Sequence, residues 1–113
     1  MIVSFTAQDI PVDLPSHVVT GLYRIVQEAL RNVSKHAGRT HVKIAVSSHA
    51  DGIRLHVVDY GVGFDIQAGR RGLGLISMEE RARMMEGVLN VESQLGNGTR
   101  ITVDVPLPPS NQA

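Results

Sequence analysis

From Val18 onward the apolar side chains return every three or four places: Val18, Leu22, Ile25, Val26, Ala29, Leu30 and Val33. That is the period of a helix with one buried stripe. Ser16 stands at its start as a capping residue, with Val19 where the glutamate of a full capping box would sit. Gly38 supplies a stop. The pattern predicts a long helix over 16–37. The period then changes to two. Val42, Ile44 and Val46 alternate with Lys43, Ala45 and Ser47; Asp51-Gly52 is a hairpin signal; Ile53, Leu55 and Val57 form the return strand, ending at Asp59. Leu75, Met78, Ala82 and Met85 share one face of a second helix that closes at Gly87. Val88–Ser93 and Thr99–Pro106 read as strands joined by the Gly96-Asn97-Gly98 turn. A short strand at Ile2–Thr6, followed by the proline-containing connection Asp9–Pro15, precedes the long helix.

The predicted order is strand, helix, strand, strand, loop and helix, strand, strand. Helices covering one face of a mostly antiparallel mixed sheet give an α+β fold, a two-layer α/β sandwich. A chain of 113 residues forms one domain, assigned here to 1–107, with 108–113 as a frayed tail. Eleven basic residues balance eleven acidic ones, which argues against a general nucleic-acid binder. There is no cysteine, so disulfides and cysteine-based zinc sites are excluded. No apolar run approaches the ~20 residues that span a bilayer, so no direct membrane contact and a cytoplasmic location are expected. Five of the eleven glycines fall between Gly61 and Gly74, and that segment reads as a mobile loop.

Four separated pieces carry the chemistry: Glu28-Ala-Leu-Arg-Asn32-Val-Ser-Lys35-His36, Asp59-Tyr-Gly61-Val-Gly63, Gly72-Leu73-Gly74 and Gly96-Asn-Gly98-Thr99. In an ideal helix Glu28, Asn32 and Lys35 fall within an arc of roughly 60° that borders the apolar stripe, where a helix leaves the core. Asp59 ends a strand ahead of two glycines. Gly72 and Gly74 open the second helix, whose free N–H groups favour phosphate. Arg70 and Arg71 lie beside them, either as phosphate contacts or as a solvated basic loop. Each piece also has a plain structural reading: a solvated helix edge, a turn, a cap, a β-branched strand start.

Together, in this order, the pieces resemble the N, G1, G2 and G3 boxes of the histidine-kinase-type ATPases, and the likeness covers about residues 15–107. The wording from Leu22 to Leu30 is similar to the branch of sensor kinases paired with NarL/LuxR-type response regulators, whose output domains are helix-turn-helix. The resemblance implies the Bergerat ATP-binding fold, ATP and Mg²⁺ as ligands, and donation of the γ-phosphate. It implies Asn32 as the Mg²⁺ ligand, Glu28 as a base or as the group ordering a metal-bound water, and Lys35 near the phosphates. Asp59 would accept the exocyclic amine of adenine, with Gly61 and Gly63 admitting backbone close to the base. Gly72, Leu73 and Gly74 would meet phosphate, and Thr99 would close the adenine pocket. His36 carries two readings, a contact to phosphate or ribose and a packed histidine. Most relatives have a second acidic residue at the position of Tyr60, and altered packing beside the purine is expected there. His17, His41, His49 and His56 lack metal-ligand spacing and read as structural or surface residues. Met78, Met84 and Met85 read as core and lid packing.

The implied partner is a histidine-bearing dimerisation domain of the parent kinase, absent from this sequence, with a response regulator engaged indirectly. The isolated domain is expected to be monomeric, and the resemblance is compatible with a membrane-anchored parent kinase. Two alternatives share the fold: a free-standing anti-sigma-type serine kinase, and a non-catalytic nucleotide-sensing module.

Overall fold

The computed structural model describes residues 1–11, 13–37, 40–49, 51–63 and 74–107, without the side chains of His36 and Ala37. Among the described residues, five strands and two α-helices follow one another as β1 (Ile2–Gln8), α1 (Ser16–Asn32), β2 (His41–His49), β3 (Gly52–Asp59), α2 (Leu75–Met84), β4 (Val88–Ser93) and β5 (Thr99–Pro106). The sheet order is β1-β2-β3-β5-β4. β1 runs parallel to β2, and every other pairing is antiparallel. The single parallel pair has a simple cause: parallel neighbours need a long crossover, and α1 supplies it. The α+β reading holds, with β1 two residues longer than its alternation predicts.

The alternation in β3 separates two faces. Ile53, Leu55, Val57 and Asp59 are buried, and the residues between them are half-buried. The buried set continues sideways as Val42 and Ile44 of β2 and Ile101, Val103 and Val105 of β5. Onto this face pack Val18, Leu22, Ile25 and Ala29 of α1 and Leu75, Met78 and Ala82 of α2. Burying each large side chain contributes about 1.5–3 kcal/mol, so this one contiguous core carries the domain. Met85 seals the junction of the helices: its Sδ rests against Gly21, where a Cβ would stand only 2.6 Å away.

Three local expectations are corrected. Pro15, not Ser16, is the N-cap of α1, and no side chain caps it; the pyrrolidine fixes φ but offers no acceptor to the free N–H groups. The predicted single helix over 16–37 divides into α1 and a π-helical turn, Val33–Ala37. Bonds from i to i+5 replace the tighter ladder there, so the ideal-helix arc that grouped Lys35 with Glu28 and Asn32 does not extend to Lys35. Met84 is exposed, whereas Met78 and Met85 are buried as expected. Gly38 and the tail 108–113 lie outside the described residues.

The open face of the sheet is polar. Arg54 of β3 forms an ion pair with Asp104 of β5, and His56 Nδ1 lies 3.2 Å from Thr102 Oγ1. Burial lowers the pKa of His56 below its ordinary 6.5; Arg54, Arg100 and His49 add to the shift and Asp104 opposes it. The folded state therefore favours the neutral ring. As pH falls below 6.5 the unfolded chain takes up the proton first, and stability declines through the window from 6.5 down to the lowered folded value. Urea unfolding between about pH 7 and about 5.5 should show this loss, and His56→Gln should flatten it. An unchanged slope in the variant would remove His56 as the cause.

Candidate nucleotide-binding site

Asp59 is the one buried charged side chain among the described residues, 7% exposed. It continues the apolar alternation of β3 and so points to the face that the helices cover. A carboxylate in that position needs hydrogen bonds, and Oδ1 accepts the N–H of Gly61 at 2.9 Å. Register places Thr99 of β5 opposite Asp59, and Ser93 of β4 opposite Thr99. A polar row thus crosses three strands where the apolar face ends. Ser93 Oγ lies 2.7 Å from Thr99 Oγ1 and donates to the carbonyl of Gly98 at 3.0 Å.

The segment after Asp59 and the β4–β5 turn stack backbone on backbone. Gly96 N–H donates to the carbonyl of Val62. A Cβ on Gly63 would stand 2.1 Å from the carbonyl oxygen of Gln94, and one on Gly98 would stand 2.3 Å from that of Asp59. Gly63 and Gly98 are therefore required by each other's loops. Sequence reasoning assigned Gly63 to close approach of a base; the structure gives it a closer neighbour within the protein.

Tyr60 follows Asp59 at the end of β3. Its ring is exposed and carries the Lys43 ammonium 5.9 Å from its centroid, on the open side of the sheet. Its N–H donates to Thr40 Oγ1 at 3.0 Å, and the Thr40 hydroxyl donates to the carbonyl of His41. Thr40, unnoticed in the sequence, ties the start of β2 to the end of β3; nothing in the periodicity marks it.

A second group of the predicted residues lies on the helices. Glu28 and the half-buried Asn32 lie one turn apart at the end of α1, and Lys35 is exposed in the π turn. Glu28 pairs loosely with Arg31 at 3.8 Å, a surface pair of small value. Its more telling neighbour is Gly74, the N-cap of α2. Gly74 has φ +66, and a Cβ there would stand 1.9 Å from Glu28 Oε1. The predicted N and G2 elements therefore meet through the missing side chain of Gly74. Gly72, Leu73, Arg70, Arg71, the rest of the predicted loop and the His36 side chain lie outside the described residues. Among the described residues no group of three His, Cys, Asp or Glu side chains is placed to hold a metal, and no helix is long and apolar enough to cross a membrane.

The fold is an α+β domain whose helix-covered sheet face ends in a buried carboxylate beside a glycine-containing turn. Residues 17–109 match the family described as histidine kinase-, DNA gyrase B-, and HSP90-like ATPase, and the chain belongs to that family as an ATP-binding domain. It is 36% identical over 94 residues to the signal transduction histidine-protein kinase/phosphatase DegS of Brevibacillus brevis, covering 82% of this chain and 24% of that protein. It is 40% identical over 95 residues to the oxygen sensor histidine kinase NreB of Staphylococcus carnosus (strain TM300), covering 81% of this chain and 27% of that one. The chain thus spans about a quarter of the length of these relatives. Among solved structures it is similar to the histidine kinase domain of the Erythrobacter litoralis EL346 blue-light activated histidine kinase, with TM-score 0.76 and 26% identity over 93% of this chain and 55% of that one. The ATP-binding domain of PrrB from Mycobacterium tuberculosis gives TM-score 0.68 and 25% identity over 94% of this chain and 81% of that one.

The turn glycines supply a controlled comparison. Gly96 and Gly98 both have positive φ, but a Cβ on Gly96 meets nothing within 4 Å. Gly96→Ala should cost only the backbone strain, about 1–2 kcal/mol. Gly98→Ala should cost clearly more and displace the end of β3. Chemical denaturation of both variants checks this, and equal losses would show that the two loops do not depend on close approach.

Proposed function

We propose that the chain is the catalytic and ATP-binding domain of a sensor histidine kinase. It holds Mg·ATP and presents the γ-phosphate to a histidine on a separate dimerisation domain. The observation that carries this reading is Asp59, buried at a strand end with Oδ1 engaged by Gly61. Its second oxygen is available in chemistry to an exocyclic amine. Guanine would turn a carbonyl oxygen toward that carboxylate, and two acceptors facing each other in a buried site discriminate strongly.

The helical wall supports the phosphate end of the reading. Glu28 and Asn32 lie one turn apart on α1, and Glu28 stands beside the N-cap of α2. A cation held at a site without a cluster of protein ligands takes most of its oxygens from phosphate and water, as Mg²⁺ does. Asn32 would supply an amide oxygen, and the ion would neutralise charge on the transferring phosphoryl group. Glu28 would order water beside it, and Lys35 would act at longer range from the π turn. Gly72, Leu73 and Gly74 would offer backbone N–H groups, and Thr99 would sit at the base. His36 retains both readings. Phosphoryl transfer asks mainly for positioning and charge stabilisation, and this set of groups offers that.

The relatives' names place them among histidine kinases, which favours this reading over an anti-sigma-type serine kinase or a silent nucleotide sensor. By the Leu22–Leu30 wording, the parent kinase feeds a NarL/LuxR-type regulator, and the domain works in the cytoplasm, where ATP is available.

Calorimetry on the 113-residue chain tests both ends of the site. Asp59→Asn should weaken ATP binding at least about tenfold, since hydrogen bonds to a charged group contribute ~1.5–3 kcal/mol. Affinity at the wild-type level would remove Asp59 from the base site. Asn32→Ala should abolish the gain in ATP affinity given by Mg²⁺ and leave metal-free ADP binding nearly unchanged. Equal losses with and without the metal would make Asn32 a structural residue.

A further inference from the structure

The row Asp59, Thr99, Ser93 contains more information than its members taken singly. Ser93 follows Leu89 and Val91 on the covered side of β4, where the alternation calls for another apolar residue. Its hydroxyl donates to Gly98 O at 3.0 Å and lies 2.7 Å from Thr99 Oγ1. A hydroxyl has one hydrogen to donate and two lone pairs to accept with. The Gly98 carbonyl can only accept, so the Ser93 hydrogen goes there. The 2.7 Å contact is then satisfied only if Thr99 donates to Ser93. The reverse arrangement would leave the Ser93 and Gly98 oxygens 3.0 Å apart with no hydrogen between them.

We propose that Ser93 is a positioning residue that fixes the hydrogen-bond polarity of Thr99, so that the pocket edge formed by Asp59 and Thr99 only accepts hydrogens and selects a base edge bearing an amino group over one bearing a keto group. The proposal rests on the reading of Asp59 and Thr99 as the base-facing pair. Thr99 spends its hydrogen inside the protein, and what it offers outward is a lone pair. Asp59 offers a carboxylate oxygen. Two adjacent acceptors suit the two hydrogens of an exocyclic amine, taken directly or through one water. A 6-keto purine would need a donor at the same place, and a free threonine hydroxyl would supply one by rotating. Ser93 removes that freedom. It reads nothing itself; it acts through Thr99.

The test is the ratio of ATP to inosine triphosphate affinity, measured by calorimetry on the full chain and its variants. The wild type should prefer ATP. Ser93→Ala frees the Thr99 hydrogen and should narrow the ratio about fivefold, the scale of one neutral hydrogen bond. Ser93→Thr keeps the hydroxyl and should preserve the ratio. In a Thr99→Val background Ser93→Ala should have no further effect on the ratio, because the group it orients is gone. A merely structural serine would lower both affinities in proportion, and that outcome overturns the proposal. A narrowing that persists on Thr99→Val overturns it as well. Should Ser93→Ala fail to fold, Ser93→Cys, close in size and a weak donor, is read in the same way: an unchanged ratio sinks the idea. Asp59→Asn separates the two levels. If it leaves ATP binding intact, the site reading itself fails. If it weakens ATP while Ser93→Ala leaves the ratio alone, only the role of Ser93 fails.

Discussion

Everything at the candidate site depends on keeping one carboxylate buried at the end of an apolar sheet face. Asp59 continues the series Ile53, Leu55, Val57 and is buried with it. Removing such a group from water is unfavourable unless it is hydrogen-bonded. The chain answers with a bend immediately after the strand, which brings the Gly61 N–H back onto Oδ1. That bend must be held, and the β4–β5 turn holds it, with the Gly96 N–H on the Val62 carbonyl and bare glycines where the two backbones meet. Antiparallel register then puts Thr99 and Ser93 beside the carboxylate with no further device. The polar row is thus a product of strand pairing and exists before any ligand arrives, which lowers the ordering cost of binding.

Most of the architecture was legible because the periodicity is strong. The three-and-four spacing from Val18 to Val33 and the alternation in β2 and β3 each fix one buried face, and a two-layer α+β fold follows from them. What was not legible is instructive. The change from α to π geometry at Val33 has no signature in residue type, since Val, Ser, Lys and His are ordinary helix residues there. Pro15 displaced Ser16 as the cap because backbone dihedrals, not side-chain chemistry, decided the entry. Met85 continues the buried face of Leu75, Met78 and Ala82 and packs against Gly21, whereas Met84 falls off that face and is exposed.

The site was legible as a set of residues but less so as a set of contacts. Asp59, Glu28 and Gly74 were singled out for what they would do to a ligand. The structure adds what they do to one another: Glu28 occupies the space that a Gly74 side chain would take, and the carbonyl of Asp59 lies against Gly98. Such pairings join residues far apart in the chain and leave no local pattern to read. Ser93 was passed over for a related reason. A serine at a strand end is unremarkable until register sets it beside Thr99.

The strand and helix parts of the proposed site are built by different physics, and the difference suits the proposed phosphoryl donor. The strand wall consists of paired backbone and a fixed polar row, so it can hold one ligand edge in a constant frame. The helical wall meets the strand wall through packing: α1 presents Glu28 and Asn32 from one end, and α2 begins at Gly74 in a left-handed conformation that a residue with a Cβ adopts only under strain. Glu28 is set directly against that helix start. A change in backbone direction at Gly74 is therefore felt at the Glu28 carboxylate, and a change at Glu28 is felt where α2 begins. In the proposed reaction, which depends chiefly on position, this contact would link the group assigned to the phosphate end to the helix that begins at Gly74. The proposed base end is held by separate contacts, those of Asp59, Thr99 and Ser93.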